Sequence, residues 1–73
     1  MTDTGQLNAA LLNAHAAGDT AALVALYHRA ADIVQGNEAA FFLTQAYVHA
    51  LEIDDPRAAQ LRHALVSLGR EAP

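Results

Sequence analysis

Four histidines, His15, His28, His49 and His63, are the side chains of this 73-residue chain best suited to chemistry, because imidazole titrates near neutrality and ligates zinc. None stands three or four residues from another, so no helical turn presents two of them together as ligands. His49 precedes Glu52, and His28 precedes Asp32, by one turn, a spacing that pairs side chains on a helix surface. Di-iron carboxylate bundles place Glu-x-x-His, in that order, on two helices and add two more glutamates. Here the order is reversed and the further acids are lacking. Asp54-Asp55 is without the alternating acids, central glycine and terminal glutamate of a calcium loop, and reads as a helix cap. Without cysteine, and with Ser67 the sole serine, no nucleophile, base and acid fall into a triad spacing. Thr2, Thr4, Thr20 and Thr44 lack a placed base, and no glycine-rich phosphate loop is present. The expectation is a protein with no catalytic, cofactor-binding or metal site, a metal-binding or catalytic helical bundle being the rival from another class.

Charge narrows the partners. The formal net charge is −4 and the only basic residues besides histidine are Arg29, Arg57, Arg62 and Arg70, scattered along the chain. Binding phosphate backbones or anionic lipid needs clustered cations, so neither nucleic acid nor a membrane is the expected partner. Met1 to Gln6 has no cationic start leading into an apolar core, so no secretory signal is expected. The longest apolar run, Ala39 to Leu43, falls far short of the roughly 20 residues that span a bilayer. A cytoplasmic protein is expected. Abundant alanine and arginine without lysine is a composition associated with GC-rich bacterial genomes.

What must position any site is set by punctuation. Gly18-Asp19, Gly36-Asn37 and Asp54-Asp55-Pro56 recur about every 18 residues, with Gly69 near the end, and divide the chain into four apolar segments of helical length. The reading is all-α: helices near 4–17, 20–35, 38–53 and 56–68, paired as antiparallel hairpins over 4–35 and 38–68 in a single domain, residues 1–73. Leu7, Ala10, Leu11 and Ala14 form one face of the first helix, with Asp3 and Gln6 as a capping box and Gly18 as its left-handed stop. Leu23, Leu26, Tyr27, Ala30, Ile33 and Val34 form the stripe of the second, closed by Gly36, with Asn37 capping the third. The third is apolar nearly all round, from Ala39 and Phe41 to Leu51 and Ile53, and is expected to be the most buried, with Phe41 and Phe42 in the core or, in an open stack, one of the two rings meeting a partner. Asp55 and Pro56 supply the N-cap and first position of the fourth, whose stripe is Ala58, Leu61, Leu65 and Leu68. So much alanine predicts a thin core and close helix axes.

The Gly-Asp break followed by Leu23, Tyr27 and Ala30, with Leu7, Leu11 and Ala14 ahead of it, resembles the tetratricopeptide repeat. Laid 36 residues on, Leu43, Tyr47 and Ala50 repeat the first-helix positions, Asp54-Asp55 replaces Gly18-Asp19, and Ala58 matches Ala22. The resemblance covers nearly the whole chain as a degenerate, two-repeat form, with a closed four-helix bundle as the alternative architecture. It implies a small non-enzymatic interaction module that holds a peptide or a partner's helix in the groove of its A-type helices, lined by Asn8, Leu12, His15, Thr44, Val48 and Glu52. Nothing cationic stands there, so the chaperone-tail-binding activity of part of that family is not implied. A short array also exposes its ends, so a homodimer through Leu61, Leu65 and Leu68, or through the groove itself, is expected, and a homodimeric structural bundle is the other reading of function.

Overall fold

The computed structural model describes residues 3–69, which form four helices: α1 (Asp3–Ala17), α2 (Thr20–Asp32), α3 (Asn37–Glu52) and α4 (Arg57–Ser67), with no strand among the described residues. The side chain of Asp3, the proposed cap of α1, is outside what the structure describes, as is the tail from Arg70 to Pro73. The all-helical reading and the number of helices agree with the structure.

The two turns that end α1 and α3 are the same object built twice. Gly18 sits at φ 67° and donates its N–H to the His15 carbonyl, while Asp19 N–H reaches back to Ala14 O at 2.9 Å. These are the two bonds of a Schellman stop. Thirty-six residues later Asp54, at φ 55°, bonds to Leu51 O, and Asp55 N–H reaches Ala50 O at 2.8 Å. Aspartate tolerates the left-handed conformation better than most residues, which lets Asp54 stand in for glycine. Each turn is followed at once by a carboxylate cap: Asp19 Oδ1 accepts from Ala22 N–H, and Asp55 Oδ1 accepts from Arg57 N–H. Leu7 and Leu43 match in burial, as do Ala14 and Ala50. Beyond the caps the correspondence fails, since buried Leu23 is answered by exposed Ala59 and half-buried Tyr27 by exposed His63.

Gly36 does a different job from the one expected. α2 ends at Asp32, and Ile33 N–H bonds back three residues to Ala30 O, tightening the last turn before β-branched Ile33 and Val34. Gly36 then occupies the N-cap of α3 at φ 65°, ψ −131°, backbone space open chiefly to glycine, and Asn37 is already helical. The Asn37 cap is therefore corrected.

Packing follows chain order: α1 on α2, α2 on α3, α3 on α4. The backbone measures 34 × 28 × 13 Å, the short dimension little more than one helix thickness. One core joins Val24 and Ala31 of α2, Leu43, Ala46 and Ala50 of α3, and Leu61 and Leu65 of α4. Two expectations are corrected by it. Leu61 and Leu65 are 0% and 2% exposed, so the dimer stripe is spent within the monomer and only Leu68 of the three remains at the surface. The third helix is not covered all round: Phe41, Val48 and Leu51 are exposed, because α3 is flanked by α2 and α4 and no described residue covers the side that carries them. The more enclosed role is shared by α2, which buries Leu23 and Ala30 and also, unforeseen, Val24 and Ala31.

The start of α4 is pinned by charge. The Arg57 guanidinium grips both Asp55 oxygens, Nη2 to Oδ2 at 2.6 Å and Nε to Oδ1 at 3.0 Å, and Nη2 also donates to the Ala21 carbonyl of α2. The side-chain and backbone hydrogen bonds from Arg57 lower the Asp55 pKa from 3.8 to about 2. Between those values the unfolded chain binds a proton that the folded chain does not, so folding loses support as pH falls through that window and keeps all of it above. In Asp55→Asn the cap oxygen remains but the titration is gone. The difference in melting temperature between wild type and this variant is expected to shrink as pH is lowered from about 4 to 2; an unchanged difference would disprove the linkage.

Candidate functional site

α1 and α3 flank α2 on one side of the molecule and leave a cleft between them. Leu7, Asn8 and Leu11 of α1 form one wall, Glu38 and Phe42 of α3 the other, and Ala30, Ile33 and Val34 the floor, enclosing about 240 Å³. That is below the size of ordinary small-molecule pockets and suits a few inserted side chains. Apart from Asn8 and Glu38 the lining is apolar. Ile33, expected in the core, is 52% exposed here because the early end of α2 turns it outward.

One end of the cleft is stopped by rings. Tyr27 of α2 stacks on His49 of α3, centroids 5.7 Å apart and planes 8° from parallel, and lies 6.2 Å from Phe42. His15 of α1 meets both Tyr27 and His49 edge-on at 6.1 and 6.3 Å. Nε2 of His15 and the Tyr27 hydroxyl share a hydrogen bond of 2.9 Å, and His49 Nδ1 donates to Glu52 Oε1 at 3.1 Å. A carboxylate only accepts, so Nδ1 of His49 carries a proton. The cluster fastens α1, α2 and α3 at the same level, and makes Tyr27 a tie between three helices.

The chemical capacity of these groups is small. The Thr44 hydroxyl donates to Ala40 O and that of Ser67 to His63 O, each bonded back to its own helix rather than to a base. His28 and His63 stand outside the ring cluster. Among the described residues no three histidine, aspartate or glutamate side chains converge on a metal position.

The six expected groove residues divide. Asn8 lines the cleft, His15 joins the rings that stop it, and Glu52 is held beside them through His49. Leu12 stands 71% exposed on α1. Thr44 and Val48 instead belong with Phe41 and Leu51 to an exposed stripe along α3, at spacings of three, four and three residues. Phe41 packs edge-on against Phe42 at 5.5 Å, so one of the two rings is cleft wall and the other surface. Glu38, Ile33 and Phe42 were not foreseen as cleft residues. The adjacent Phe41-Phe42 pair was their available signal, since neighbours on a helix point about 100° apart and cannot share one face.

No protein-family model matches the chain, and neither the curated proteins nor the solved structures hold a match to it. No described helix is long and apolar enough to cross a membrane.

Proposed function

We propose that this chain is a small non-enzymatic interaction module, two helical hairpins stacked in the manner of tetratricopeptide repeats, that takes a peptide or a partner's helix between α1 and α3. The observation that carries the reading is the apolar cleft walled by Leu7, Leu11 and Phe42 and floored by Ile33, with exposed Leu12 and Phe41 next in sequence to the wall residues Leu11 and Phe42. Large apolar side chains gathered around a concavity are the usual mark of a docking surface, whereas scattered ones need no explanation. The turn repeated at 36 residues supports the hairpin architecture, and hydroxyls bonded to their own helices favour binding over catalysis.

Site-specific cross-linking in the source cells tests the reading. A photoreactive residue at Leu12 or Phe41 is expected to yield a discrete product that is absent when the same residue replaces exposed Gln60 on the outer side of α4. Equal products from all three positions, or none, would refute the groove. A product of twice the chain mass would identify the partner as a second copy.

A further inference from the structure

Resting on the groove just proposed, the charge around it specifies what kind of segment fits. Glu38 lines one end of the α1–α3 cleft, and Glu52, fourteen residues on, is hydrogen-bonded to His49, one of the rings that stop the other. Fourteen residues of α-helix return to nearly the same face after about 21 Å, so both carboxylates mark one edge of the groove. Neither α1 nor α3 contains an arginine or lysine. Arg29, the only one on α2, lines a separate depression with Gln6, Leu7, Ala10 and Leu26, and Arg57 is committed to Asp55. The carboxylate of Glu52 is largely exposed, so its bond to His49 leaves lone pairs for a second donor.

The same charges argue against a second copy. A two-fold dimer laid along the Phe41, Val48 and Leu51 stripe sets Glu38 of one chain near Glu52 and Asp54 of the other where the two α3 helices run antiparallel, and near its own copy where they run parallel. Like charges brought together at an interface oppose association.

We propose that the occupant of the groove is an amphipathic helix of another protein whose apolar face is bracketed by a lysine or arginine at each end, about fourteen residues apart. The apolar face fills the cleft over Ile33 and Phe42, and the two cations meet Glu38 and Glu52. Such pairs are exposed, so they select and orient the partner more than they hold it.

Three synthetic helical peptides sharing one leucine–alanine face, and carrying lysine, glutamine or glutamate at the two bracketing positions, test this by titration into isotope-labelled protein at low salt. The lysine peptide is expected to shift the amides of Leu11, Ile33 and Phe42 and to bind about tenfold tighter than the glutamine peptide, the worth of two exposed pairs. The advantage should vanish in the E38Q/E52Q double variant and shrink in high salt. If lysine and glutamine peptides bind the groove equally, the charge assignment is wrong and the groove stands. If none of the three shifts those amides, the groove itself falls and this inference with it. Shifts at the same amides on concentrating the protein alone would show a second copy as occupant and overturn the assignment.

Discussion

Leu61→Ala is expected to cost about 3–5 kcal/mol, the upper part of the range for a buried leucine. The side chain is 0% exposed and packs in the core with Val24, Leu43 and Leu65 and with three alanines, Ala31, Ala46 and Ala50. How much a cavity costs depends on how far its walls can collapse into it. An alanine methyl has no rotamer with which to reach in, so relaxation here requires moving a backbone. A domain of this size is stable by roughly 4–11 kcal/mol, so the variant should lose a large part of its folding free energy. Leu68→Ala, which truncates a side chain 47% exposed, is the matched control and should cost under about 1 kcal/mol. Urea denaturation followed by circular dichroism measures both, and equal midpoints would mean that Leu61 is not core. For the same reason Leu65→Glu should unfold the chain rather than release monomers from a dimer.

Ala46→Leu is expected to destabilise by about 1–3 kcal/mol or more, from overpacking instead of a void. Ala46 is 0% exposed at the middle of α3, in the core between α2 and α4. Its small size is what allows neighbouring axes to lie close, and a leucine there must push them apart or adopt a strained rotamer. Ala25→Leu and Ala59→Leu place the same side chain at exposed helical positions and should fall within about 0.5 kcal/mol of wild type. Thermal melts of the three variants check this, and an Ala46→Leu protein as stable as the exposed controls would show that the contact has slack. Amide spectra should move across α2 and α4 in this variant alone.

Helix existence and the turns between helices were legible because they depend on local chemistry. Glycine at 18 and aspartates at 19 and 55 dictate their bonds within a few residues, whatever the rest of the chain does. The boundary between α2 and α3 was less so. A glycine serves equally as a helix stop or as the cap of the next helix, and the choice turned on Ile33 and Val34 leaving the helix early. Of the candidate site, Asn8, His15 and Glu52 were expected only through the resemblance to the tetratricopeptide repeat. The walls and floor could not be read from spacing, because Phe42, Ile33 and Glu38 come together from α3 and the end of α2.

By itself, then, the order of residues determined four helices, their stops and caps, and the faces that could be buried, all properties of periods and of single-residue backbone preference. Which of those faces would be buried was decided only in three dimensions. A stripe of leucines reads the same whether it meets its own chain or another, and Leu61 and Leu65 are core because they join Val24 and Ala31 of α2 and Leu43, Ala46 and Ala50 of α3 in one cluster. An all-apolar helix reads as enclosed, yet Phe41, Val48 and Leu51 face outward because helices packed in chain order cover α3 only on the sides that α2 and α4 occupy. Burial depends on how many neighbours a helix has and on which sides they stand, and helical periodicity carries neither.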